Sequence, residues 1–131
     1  MLLERETAEA ATKNRTAAQL ECLASYCADS RASADTCDTQ LILKANYQFH
    51  RCIAEASRIW FIGPILDPLW VHIGPLVRQT TPGRAQIMRA VVFHDSIYQA
   101  IADQDAKRAA EAIVEDIIES NRPDKIDGST T

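Results

Sequence analysis

Apolar and small residues recur along the chain at the spacing of one helix face, and no segment keeps strict strand-like alternation beyond a few positions. The pattern predicts a first helix from Leu2 to about Lys13, rich in Glu and Ala and only weakly amphipathic, stopping near Asn14. Thr16 and Gln19 then form a capping box for a second helix with the stripe Leu20, Leu23, Ala24 and Cys27. The run Ser30 to Asp35 reads as a loop. A third helix from about Thr39 to Ser57 places Ile42, Ala45, Phe49, Cys52, Ile53 and Ala56 on its inner face.

Residues 59–80 are apolar but hold Gly63-Pro64, Asp67-Pro68 and Gly74-Pro75. Each proline removes a backbone donor and clashes with the preceding turn, so the fourth helix is expected to be kinked or broken. After Thr81-Pro82-Gly83, a fifth helix from about Arg84 to Ala102 turns Ile87, Ala90, Val91, His94, Ile97, Tyr98 and Ile101 inward. Asp103-Gln104-Asp105 supplies a turn and an N-cap for a sixth helix to about Ser120, with Ala109, Ile113, Asp116 and Ile117 inward. The fold expected is an all-α antiparallel bundle of about six helices over residues 1–122, followed by a disordered tail over 123–131.

The composition agrees with one domain: 131 residues, 47% hydrophobic and 24% charged. Fourteen Lys plus Arg against 18 Asp plus Glu give a formal net charge of -4, which offers no basic field for a run of phosphates. No apolar run approaches the length of a membrane span, and Met-Leu-Leu-Glu-Arg-Glu is not a signal peptide, so a cytoplasmic protein without a membrane partner is expected. Cys22, Cys27, Cys37 and Cys52 form no CxxC pair and read as small reduced core residues.

The informative residues are polar ones on apolar stripes. Asn46 and His50 stand one turn apart on the third helix, on the face that carries Ile42, Phe49 and Ile53. His94 and Asp116 lie mid-face on the last two helices, ten residues before Gln104 and twelve after it. Antiparallel helices rising about 1.5 Å per residue bring that pair to within about 3 Å in height. Two imidazoles, a carboxylate and a carboxamide converging in a bundle suit a divalent metal (Zn, Ni, Mn or Fe), and without a thiolate the site would keep open positions. The same residues also fit a buried hydrogen-bonded network with no metal.

Asn46-Tyr47-Gln48-Phe49-His50-Arg51-Cys52-Ile53-Ala54-Glu55-Ala56-Ser57 resembles the "D-x-x-F-H-x-x-(I/L)-A-x-A-(S/G)" signature of the effector domain of FadR-type GntR transcription regulators. Phe93-His94-Asp95-Ser96-Ile97-Tyr98-Gln99-Ala100-Ile101-Ala102-Asp103-Gln104-Asp105-Ala106-Lys107-Arg108-Ala109 is similar to the same family's "E-H-x-x-I-x-x-A-I-x-x-x-D-x-x-x-A" pattern. With Leu3-Glu4 and the helix after it, the resemblance spans roughly residues 2 to 118. It implies a helical bundle that binds a small organic acid, often at a divalent metal, and forms much of a homodimer. The family's metal ligands fall on Asn46, His50, His94 and Asp116, where Asn46 replaces an Asp and Asp116 a His. The family also commonly has an Asn where this chain has Arg58-Ile59, and its winged helix and the Arg before Leu3-Glu4 have no counterpart after Met1.

The leading expectation is therefore a ligand-sensing and dimerisation domain of such a regulator. It would bind a small carboxylate effector through the metal at His50 and His94, with Arg78 as the cation that pairs with it. DNA would be reached only through a winged-helix domain missing from this chain. Two rivals remain, a small metal-dependent helical enzyme and a ligand-free interaction module. No nucleophile–base pair stands out in the sequence, so no catalytic residue is assigned.

Overall fold

The computed structural model of the chain describes residues 2–36, 38–62, 64 and 84–120. These hold five α-helices: α1 (Leu2–Asn14), α2 (Ala17–Ser33), α3 (Thr39–Ser57), α4 (Arg84–Ala102) and α5 (Ala106–Ser120). The all-α expectation is met, with five described helices in place of about six. The segment in which a kinked fourth helix is predicted lies mostly outside the described residues, as do Arg78, Cys37 and the tail over 123–131.

Local chemistry sets most of the helix ends. Thr16 Oγ1 accepts from the Gln19 amide at 3.1 Å, and Gln19 Oε1 accepts from the Thr16 amide at 2.9 Å, closing the predicted capping box of α2. Asp38 caps α3 by accepting from the amides of Gln40 and Leu41. At the end of α4, Gln104 takes φ 55°, and the Asp105 amide reaches back to the Ala100 carbonyl at 2.9 Å. That backbone pattern is a Schellman cap with glutamine at the left-handed position, and it turns the chain directly into α5. Arg58 ends α3 in the same left-handed conformation, at φ 58°.

Two readings of the sequence are corrected by this structure. The run at 30–35 is not a loop throughout, because α2 continues to Ser33 with Ser30 and Ser33 buried. Ser33 Oγ donates to the Ser30 carbonyl at 2.7 Å, so the hydroxyl is satisfied inside the helix. Cys22 is exposed rather than part of the core, whereas Cys27 and Cys52 are buried as expected.

The helices pack as a ring. α2 lies against α3, α3 against α1, α1 against α5, α5 against α4, and α4 returns to α2. α1 buries only Thr7, Ala8, Ala11 and Thr12, and this small-residue face admits its neighbours closely. One end of the ring is tied by polar side chains. Asn14 Nδ2 donates to the Ser57 carbonyl at 3.0 Å, Arg15 to the carbonyls of Ile101 and Ala102 at 3.3 and 2.9 Å, and Gln104 to the Thr12 carbonyl at 3.1 Å. Carbonyls near the C-terminal ends of α1, α3 and α4 thereby gain partners that the helices cannot supply. Across the ring, the described residues of α3 have no extensive backbone contact with α4 or α5, so side chains must span that interior.

Candidate metal centre

Three of the four residues singled out as metal ligands meet in this interior. His50 comes from α3, His94 from α4 and Asp116 from α5, and one donor atom of each lies within 4.8 Å of the others. His50 Nε2 is 3.1 Å from Asp116 Oδ2, and His94 Nε2 is 3.5 Å from the same oxygen. The agreement in height expected for His94 and Asp116 across the Gln104 turn is thus realised. Asn46, the fourth residue, stands one turn before His50 on α3 and is half-buried.

The surroundings are those of a core. His94 and Asp116 are 2% exposed, while the His50 side chain keeps 16%, so the cluster faces outward on the His50 side. Burial by itself would raise the Asp116 pKa. The imidazoles of His50 and then His94, set against its Oδ2, outweigh it and hold the carboxyl well below the usual carboxylate range. Asp116 is therefore an anion at neutral pH, as a ligand oxygen must be.

Neither ring nitrogen of the buried His94 has a hydrogen-bond partner among the described residues. The 3.5 Å approach of Nε2 to Asp116 is too long for a well-formed bond. Leaving a buried imidazole in this state costs about 1–3 kcal/mol, and a cation held between His94 and Asp116 removes that cost. The spacing agrees: two metal–ligand bonds of about 2.0–2.1 Å at a tetrahedral angle put their donors about 3.3 Å apart. The residues present fit a divalent ion held by imidazole and carboxylate.

Aromatic contacts complete the site. The Phe49 ring stacks on His94 with centroids 4.3 Å apart and planes 18° apart, and it meets His50 edge-on at 5.5 Å and 87°. His50 and His94 are themselves edge to face at 5.5 Å and 83°. The sequence shows Phe49 only as a core residue, and its position beside His50 was the available sign of a closer role. Cys27 Sγ donates to the His94 carbonyl at 3.7 Å, and burial and then the negative charge of Asp95 push its thiol up to about 12.

A family model for the FCD domain matches residues 1–118. The chain belongs to the FCD domain family. Among solved structures, this FCD domain is similar to E. coli McbR/YncC, with a TM-score of 0.80 at 18% sequence identity. The likeness covers 90% of the chain and 60% of McbR/YncC, so the chain spans less than two thirds of that protein. At this identity the likeness concerns the fold. No curated protein sequence matches the chain. No helix among the described residues is long and apolar enough to cross a membrane.

Proposed function

We propose that this FCD domain is the effector-sensing and dimerisation unit of a GntR-type transcription regulator, binding a small organic acid at a divalent metal in the bundle interior. The observation that carries the reading is the convergence of His50, His94 and Asp116 from three helices, with both nitrogens of buried His94 lacking a hydrogen-bond partner among the described residues. These three residues would hold the ion, with Asn46 as a further oxygen donor. The ion would supply a positive centre with open positions for the oxygens of a carboxylate.

The placement of the residues supports a route for the signal. α3 and the α4–α5 pair are poorly joined by backbone packing, and the cluster bridges them. An acid that prefers one spacing of these helices shifts the population toward it, by no more than its differential affinity for the two arrangements. DNA would be bound by another domain, a winged helix, in a homodimer whose domain spacing the helices adjust. In this reading the domain is regulatory and Arg78 pairs with the effector carboxylate.

A ligand-free polar network is the second reading, favoured by the 3.1 Å His50–Asp116 contact. Thermal unfolding against a panel of small mono- and dicarboxylates separates the two. The expected outcome is an acid that raises Tm in metal-loaded protein, loses its effect after chelation, and acts less strongly on Arg78→Ala, which still takes up metal. A response to acid that is equal in stripped protein contradicts the metal-mediated site. Absence of any response across the panel contradicts the sensing role.

A further inference from the structure

Metal-ligating histidines are ordinarily oriented by a hydrogen bond from the second ring nitrogen to a carboxylate or carbonyl, which sets both ring plane and tautomer. His94 lacks that device, since Nδ1 has no hydrogen-bond partner among the described residues although the ring is buried. Rotation about the bond joining the ring to Cβ is broad and roughly two-fold, so the side chain's own torsional preference does not fix the plane. Backbone packing does not fix it relative to His50 either, because α3 and α4 are not close neighbours in the ring of helices.

We infer that Phe49 is the positioning residue that sets the plane of His94, by stacking in place of the missing hydrogen bond. Phe49 is fully buried on α3 and lies nearly parallel to the His94 ring, with centroids 4.3 Å apart. Its edge meets His50, the next residue along α3, so one rigid ring fixes His94 parallel to itself and His50 perpendicular to both. In that plane His94 Nε2 faces Asp116 Oδ2. Stacking constrains the plane but not the two faces of a half-turn, and the Asp116 carboxylate selects the orientation that presents Nε2. Leucine at position 49 would retain an apolar filling but not the flat wall.

The consequence for metal affinity rests on the metal reading proposed above; the assignment of the ring plane does not. The test therefore has two arms. In metal-free protein, histidine-ring 1H–15N spectra should show one narrow set of His94 signals for the unmutated chain and for Phe49→Tyr, and broadened or doubled signals for Phe49→Leu. In zinc titrations, Phe49→Leu should bind roughly 10- to 100-fold more weakly, the range seen when an orienting partner of a ligand is lost. Leu23→Ala, a fully buried change on α2, should lose Tm while its zinc affinity stays within about two-fold, because it removes packing and no ligand partner.

Narrow single His94 signals in Phe49→Leu, or doubled signals already in the unmutated chain, would overturn the assignment. So would unchanged zinc affinity in Phe49→Leu when the unmutated chain binds zinc. If the unmutated chain takes up no zinc, the metal reading fails and the spectra alone decide the role of Phe49.

Discussion

Cys22, Cys27 and Cys52 carry the same thiol in different surroundings. Burial, followed by the charge of Asp95, pushes Cys27 up to about 12; burial, followed by Cys22 and Glu55, pushes Cys52 up to about 11. Alkylation at pH 8.5 followed by peptide mapping should modify Cys22 at least about 100-fold faster than either buried thiol, because the thiolate is the reacting form. The sign for stability follows. A raised folded-state pKa means that these thiols favour folding fully below the unfolded value near 8.5, and the contribution is lost as pH rises through about 11 and 12. Equal labelling of all three would contradict the burial described. His94 and Asp116 were legible in the sequence because a polar residue on an apolar stripe is conspicuous. Phe49 was hidden by the same logic, since an aromatic residue on that stripe looks like ordinary core.

At the scale of the helix, two left-handed caps behave differently. Arg58 ends α3 at φ 58° and is exposed, whereas Gln104 ends α4 at φ 55° and its side chain donates to the Thr12 carbonyl. Relief of the left-handed strain should make Arg58→Gly more stable by about 0.5–1 kcal/mol in denaturant unfolding. Gln104→Gly gains the same relief but loses a tie to α1, and Arg15→Ala, which strips the end carbonyls of α4 of their partner, should cost about 1–3 kcal/mol. A neutral Arg15→Ala would contradict the polar tie at that end of the ring.

The helix ends were readable where side chains advertise them, as at Thr16 and Gln19 and in the Asp103–Asp105 turn. The continuation of α2 through Ser30 and Ser33 was not, because serine there bonds within the helix and presents the composition of a loop. α1 was equally masked. Its inward face of Ala and Thr carries little hydrophobic contrast, and Thr7 and Thr12 satisfy their hydroxyls on the carbonyls of Leu3 and Glu9. A weak amphipathic signal therefore belongs to a helix that packs against α3, α4 and α5.

At the scale of the molecule, the ring formed by the described helices leaves its interior to be bridged by side chains, and His50, His94 and Asp116 meet there. A periodic pattern specifies which residues point inward, but which helices become neighbours is a property of the assembled ring. His50 could be placed facing inward from its own helix alone; its meeting with His94 and Asp116 required the ring. In the function proposed above, this meeting holds a metal ion. The most direct measurement is the metal content of protein purified without chelator or affinity tag and dialysed against trace zinc. About one equivalent per chain is predicted for the unmutated protein and less than about 0.2 for His94→Ala, as expected when one ligand of a small donor set is lost. Less than about 0.2 equivalents in the unmutated protein, unchanged by His94→Ala, would contradict the account.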